Sequence, residues 1–213
     1  MRFHKDMLLL YAITEERGNR KRPLRAMVNE VLEGGVTILQ LREKHLSDEE
    51  LMTEALEIKE LCHSYGVPLI INDNVDLALR CGADGVHVGI EDTPVAEIRA
   101  KAGNDFIIGA TAKTVEQAIA AELAGADYIG VGAVFPSPTK QNAVRISNAQ
   151  LHEITSSVSI PAVAIGGITL ENVSQIDCST LSGIAVVSAV FGAKNITKAA
   201  KELKAKANAL VHK

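Results

Sequence analysis

The stretch GADGVHVG, Gly82–Gly89, returns as GADYIGVG, Gly125–Gly132. In both copies a helical pattern stops at glycine, an aspartate follows, and a short apolar strand begins. An echo this short is weak by itself. It gains weight because it falls in register with an alternation of strand and helix along the whole chain. Outward from it, strand-length apolar runs recur at Leu8–Thr14, Ile38–Glu43, Pro68–Asp73, Gly85–Gly89, Phe106–Thr111, Tyr128–Val134, Pro161–Gly167 and Gly183–Val190. Most are continuously apolar rather than alternating, the pattern of strands covered on both faces. Each run is followed by a helix-like segment. Leu24–Gly35 and Thr114–Gly125 end on glycine, and the segment from Ser47 opens with a capping box, Ser47 with Glu50 three residues on.

Eight β-α units in 213 residues fit a single (β/α)8 TIM barrel spanning residues 1–213. The competing architecture is a doubly wound open sheet. The barrel is preferred because the count is eight and no G-x-G-x-x-G follows the first strand. No composition break marks a second domain.

The composition is that of a soluble globular chain, 47% hydrophobic and 23% charged. Aromatics make up only 3%, so the core must come from Ile, Val, Leu and Ala. A net charge of −4 disfavours a nucleic-acid surface. The basic clusters at Arg20-Lys21-Arg22 and in the Lys-rich tail read as solvated faces. Cys62, Cys81 and Cys178 form neither a metal-type spacing nor a disulfide framework, which points to reduced thiols and a cytoplasmic location. No signal peptide or membrane span is expected. The oligomeric state is open, a homo-oligomer included.

In a barrel, chemistry gathers where strands end at their carboxyl side. Those ends carry Gln40, Arg42 and Lys44 on strand 2, Asn72 and Asp73 on strand 3, and Asp92 beyond strand 4. Thr111 ends strand 5, Ser137, Thr139 and Lys140 follow strand 6, Gly166 and Gly167 end strand 7, and Ser188 ends strand 8. Positions 40, 42 and 44 would share one face of an extended strand. Three donors on one face call for an anion, or for a salt bridge with Glu43 or a neighbouring carboxylate. Asp73 and Asp92, converging beside cations, suggest Mg2+ completed by water and phosphate oxygens. The alternative for Asp92, which precedes Thr93-Pro94, is a helix cap. Gly166-Gly167 and the amides near Ser188 offer a phosphate cradle, although a glycine pair also simply turns the chain. The loop Phe135–Lys140 is stiffened by two prolines and carries two hydroxyls and an ammonium, which suits a diphosphate. The polar ends thus predict two anionic groups: a diphosphate with Mg2+, and a separate monophosphate.

The combination QLREK (Gln40–Lys44), INDNVDLAL, GADGVHVGIEDTP, GADYIGVGAVFPSPTK, VAIGGI and VVSAV resembles the thiamine phosphate synthase family, from about Tyr11 to Phe191. The resemblance implies coupling of a hydroxymethylpyrimidine diphosphate with a hydroxyethylthiazole phosphate and release of diphosphate. Carried over by motif, Gln40, Arg42, Lys44, Asn72 and Lys140 would bind the pyrimidine diphosphate, and Asp73 and Asp92 would ligate Mg2+. Ser137 and Thr139 would contact the thiazole and diphosphate region. Gly167, Val187 and Ser188 would hold the thiazole phosphate. Three positions depart from the family pattern: Asn74 stands for Arg, Ile90 for Gln and Lys113 for His, while Thr111 keeps a hydroxyl where the family often has Ser, Ala or Thr. Competing readings are a thiazole tautomerase, a phosphosugar isomerase or epimerase on the same barrel, and a silent barrel that senses thiamine precursors.

Overall fold

The structure is a computed structural model that describes residues 2–15, 22–136 and 145–212. Its strands are β1 (Leu10–Ile13), β2 (Ile38–Leu41), β3 (Leu69–Asn72), β4 (Gly85–Val88), β5 (Ile107–Ala112), β6 (Tyr128–Gly132), β7 (Ala162–Ile165) and β8 (Leu181–Val186). All eight pair in parallel with their sequence neighbours, and β8 returns to β1, so the sheet closes into a barrel. Closure leaves no sheet edge and excludes the open, doubly wound alternative.

The helices are α1 (Leu24–Glu33), α2 (Asp48–Ser64), α3 (Val75–Cys81), α4 (Val95–Ala102), α5 (Val115–Leu123), α6 (Asn148–Ser156), α7 (Ser188–Phe191) and α8 (Ile196–Val211). The expected capping box at the start of α2 forms: Ser47 Oγ accepts the Glu50 amide and Glu50 accepts the Ser47 amide. The expectation of a helix after every strand fails at β7. Its crossover is only a 3₁₀ turn, Val173–Gln175, because the short segment spends its polar groups locally. Asn172 accepts from the Thr169 amide and donates to the Gly167 carbonyl. Two helices, α7 and α8, follow β8 instead.

Two cores result. One lies between sheet and helices and is aliphatic, including Val28, Ile58, Ile98, Leu151 and Leu203. The other fills the barrel with Tyr11, Ile13, Ile38, Ile70, Ile107, Tyr128, Val163 and Ala185. Two of the chain's three tyrosines are therefore inside the barrel.

The repeated GAD segment has a structural meaning at the amino-terminal face. Asp84 accepts the Leu69 amide at the start of β3 (2.8 Å), and Asp127 accepts the Ile108 amide on β5 (2.7 Å). Each aspartate thus pins the strand before its own. His63 pairs with Asp84 at 2.8 Å, and Arg99 pairs with Asp127 at 2.7 Å. Arg99 also donates to the carbonyls of Gly103, Phe106 and Gly125. Arg99→Ala strands these acceptors and should cost about 2–3 kcal/mol. Thermal melting should show this as a Tm lowered by roughly 5–10 °C. Turnover per folded molecule should stay normal, since this face lies opposite the strand ends that carry the site.

Candidate active site

The carboxyl ends of the strands gather most of the polar residues singled out in the sequence, though not all as expected. β2 ends at Leu41, so Gln40, Arg42 and Lys44 do not form one continuous strand face. The chain leaves the sheet because Thr14 draws it toward β1. The Arg42 amide donates to Thr14 Oγ1 at 2.9 Å, and the Thr14 hydroxyl donates to the Arg42 carbonyl at 3.3 Å. Gln40 points into the barrel, 2% exposed, where its Nε2 donates to the Tyr11 hydroxyl at 2.8 Å. Arg42 is half-buried and Lys44, on a bend, is exposed.

Asp73 and Asp92 do converge. Asp73 follows β3 with a positive φ of 60°, and its amide donates to the His87 carbonyl at 2.9 Å. A non-glycine residue held there costs on the order of 1 kcal/mol or more, strain that tends to sit at functional sites. Burial raises the Asp73 pKa most, and the Asp92 carboxyl beside it raises it further, through a hydrogen bond and through charge. Hydrogen bonding from Asn72 and the positive charge of Lys44 oppose that rise. Two carboxyls and an amide therefore meet at the ends of β3 and β4, within the field of the exposed Lys44 ammonium. Asp92 is not a helix cap. Its Oδ2 accepts the Gly89 amide at 2.7 Å, folding the side chain back to the end of β4. The N-cap position of α4 is Pro94, with no side-chain cap bond.

One of the departures from the family pattern has a local reason: Asn74 caps α3 by accepting the Leu77 amide at 2.9 Å. Lys113 bonds Gln117 only through its backbone amide, at 2.8 Å, which does not explain the lysine. Ile90 is 49% exposed, and nothing in the structure explains the isoleucine.

Thr111, on β5, faces the barrel and meets His87 Nε2 at 3.1 Å. Just beyond β7, Gly167 has φ 64°, and a Cβ there would fall 2.2 Å from the Pro136 carbonyl oxygen. The chain after β6 zips onto the end of β7 through Val134 and Phe135, whose amides donate to the Ile165 and Gly166 carbonyls. This close approach alone requires glycine. Val187 and Ser188 open the four-residue helix α7 at the end of β8, half-buried and exposed respectively. Ser137, Thr139 and Lys140 lie outside the described residues.

Sequence reasoning missed Tyr11, His87 and Tyr128, which form a polar chain with Gln40 and Thr111 that is buried at the two tyrosines and Gln40 and half-buried at His87 and Thr111. Tyr11 and Tyr128 hydroxyls lie 2.8 Å apart, and Tyr128 lies 3.2 Å from His87 Nδ1. The available signal was a lone imidazole inside the apolar run GVHVG and a tyrosine opening the run YIGVG. Among the described residues, no group of three or more His, Cys, Asp or Glu side chains gathers to hold a metal ion, and no helix is long and apolar enough to cross a membrane.

Comparison with known proteins gives one consistent picture. The family model described as thiamine monophosphate synthase matches residues 10–190. A thiamine-phosphate synthase of Ruminiclostridium cellulolyticum is 46% identical over 194 residues, covering 91% of this chain and 92% of the relative. The thiamine biosynthetic bifunctional enzyme TH1 of Arabidopsis thaliana is 47% identical over 206 residues; the match takes in 94% of this chain but spans only 40% of that relative's length. The solved thiamine phosphate pyrophosphorylase of Pyrococcus furiosus superposes with a TM-score of 0.88 at 38% identity, covering 97% of this chain and 98% of its own. Sequence and fold agree, and the chain belongs to the thiamine monophosphate synthase family of transferase enzymes.

Proposed function

We propose that this chain joins 4-amino-2-methyl-5-hydroxymethylpyrimidine diphosphate to 4-methyl-5-(2-hydroxyethyl)thiazole phosphate, giving thiamine phosphate and diphosphate with the help of Mg2+. The observation that carries the reading is the contact between Asp73 and Asp92 beside Lys44. Two adjoining carboxylates repel one another unless a cation or proton is shared. Two carboxylates with room for phosphate oxygens suit Mg2+, which is held by few protein ligands. When bound there, Mg2+ supplies charge neutralisation to the diphosphate.

The chain's own residues do the rest. The bond between the pyrimidine's methylene carbon and the diphosphate oxygen breaks, and the electron pair leaves with the oxygen. The thiazole nitrogen lone pair then forms the new C–N bond, and this exchange moves no proton. The electron-rich aminopyrimidine supports the positive charge on that carbon, so no protein nucleophile is required. Arg42, Lys44 and Lys140 are assigned to the departing negative charge. Gln40 and Asn72 are assigned to the pyrimidine, and Thr111 offers a hydroxyl beside them. Gln40 retains its carbonyl oxygen and one amide proton after its bond to Tyr11. Ser137 and Thr139 are placed at the thiazole and diphosphate region. Gly167, Val187 and Ser188 are placed at the thiazole phosphate, separated from the carboxylates by the barrel mouth. Holding both reactants in line supplies much of the acceleration.

Mass spectrometry of reactions with each substrate alone and with both tests the proposal. Thiamine phosphate appearing only with both present is expected. Tight binding of either substrate without product would instead fit a silent sensor. Ser188→Ala should raise the KM for the thiazole phosphate roughly 10-fold, by loss of a hydrogen bond to a charged group, with kcat little changed. A rise in the pyrimidine KM instead would reverse the assignment of the two ends.

A further inference from the structure

We propose that Tyr128 is a positioning residue: it completes a one-way chain of hydrogen-bond donors, from Gln40 through Tyr11, Tyr128 and His87 to Thr111, that fixes the His87 proton on Nε2 and turns the Thr111 hydroxyl proton toward an acceptor on the pyrimidine substrate. Only the identity of that substrate rests on the function proposed above.

The direction follows from the orientation of the Gln40 amide and from counting protons onward from it. Gln40 Nε2 donates to the Tyr11 oxygen at 2.8 Å. The Tyr11 proton then has one acceptor, the Tyr128 oxygen at 2.8 Å. Were Tyr128 to donate to Tyr11 instead, the Tyr11 proton would lack an acceptor at a position only 1% exposed, a costly arrangement. Tyr128, with no exposure, therefore gives its own proton to His87 Nδ1 at 3.2 Å. Both phenols stay protonated because burial raises their pKa values. A ring that accepts at Nδ1 carries its proton on Nε2. That nitrogen donates to Thr111 Oγ1 at 3.1 Å. The Thr111 oxygen having accepted, its remaining proton points onward into the mouth of the barrel.

The fold makes room for this chain. A Cβ on Gly109 would sit 2.3 Å from the Tyr128 hydroxyl and 2.5 Å from His87 Nδ1. Glycine on β5 is what allows the two groups to meet. Phe3 stacks on Tyr128 with ring centroids 5.8 Å apart, and Tyr11 packs edge-on at 5.9 Å. The phenol is thus held from below while its hydroxyl serves the strand ends above.

The test uses 15N-labelled full-length protein without substrate. Long-range 1H–15N spectra report which His87 nitrogen carries the proton, and His87→Gln identifies its signals. We expect an Nε2–H ring in the wild type, retained in Tyr11→Phe and replaced by mixed tautomers in Tyr128→Phe. A proton on Nδ1 in the wild type, or an unchanged ring in Tyr128→Phe, overturns the proposal. The wild-type spectrum decides even where a variant fails to fold. Kinetically, Thr111→Val should lower kcat/KM for the pyrimidine diphosphate roughly 10-fold or more, with Thr111→Ser restoring it. Equal loss in Val and Ser variants also overturns it. A wild type inactive with both substrates would refute the proposed reaction while leaving the tautomer result to stand by itself.

Discussion

Asp92→Asn should lower turnover at least about 100-fold, the scale of losing a preorganised electrostatic stabiliser. It should also make the metal-free protein more heat-stable at neutral pH. Both follow from one contact. The Asp73 carboxyl has its pKa raised by burial and by Asp92. A carboxyl whose folded pKa lies above its unfolded one binds more protons folded than unfolded, between those two values. Stability therefore falls as pH rises from the ordinary carboxylate range to the raised value, and the penalty is fully present above it. Neutralising Asp92 removes its share of that penalty at pH 7, burial keeping the larger one, and the relief should vanish in acid where Asp73 is protonated. Adding Mg2+ should raise the wild-type Tm by ligand linkage, and should do so much less in the variant. Equal Mg2+ shifts in the two proteins would place the metal elsewhere.

Lys44→Met should also lose about 100-fold in turnover, for a different reason. Lys44 is assigned above to the departing diphosphate and, at the same time, holds the Asp73 pKa down by its charge. Without the ammonium, the carboxyl pKa rises further and metal binding requires a higher pH. The acidic limb of the pH–rate profile should therefore move to higher pH in Lys44→Met. Lys44→Arg keeps the charge and should leave that limb near its wild-type position, although its fork fits the anion differently. An unmoved limb in Lys44→Met would separate Lys44 from the carboxylate pair.

The strands were legible because each is a largely buried apolar run, and the start of α2 because Ser47 and Glu50 carry its capping box in the sequence. The weak crossover after β7 was not legible. Thr169–Ile176 has apolar residues at helical spacing, and only the bonds of Asn172 show why the segment stays a turn. At the site, the two aspartates could be paired by reasoning from strand ends alone, since β3 and β4 are neighbours. The break after Leu41 could not, because it depends on Thr14, just beyond the end of β1 and 28 positions away. The polar chain through Tyr11, His87 and Tyr128 was hidden for the same reason. With Gln40 and Thr111 its members come from five strands, and nothing local in the sequence says that they meet. Gly166-Gly167 read as a phosphate cradle, but the approach of Pro136 already requires glycine at Gly167.

The central claim is that Asp73, Asp92 and the neighbouring cations, with Mg2+, carry the charge of a departing diphosphate. Its most direct test is diphosphate released per thiamine phosphate formed, followed with both substrates as Mg2+ is titrated back after EDTA. The account predicts no release in EDTA, recovery with added Mg2+, and one diphosphate for each product molecule. Release that persists undiminished in EDTA, or product formed without diphosphate, would contradict it.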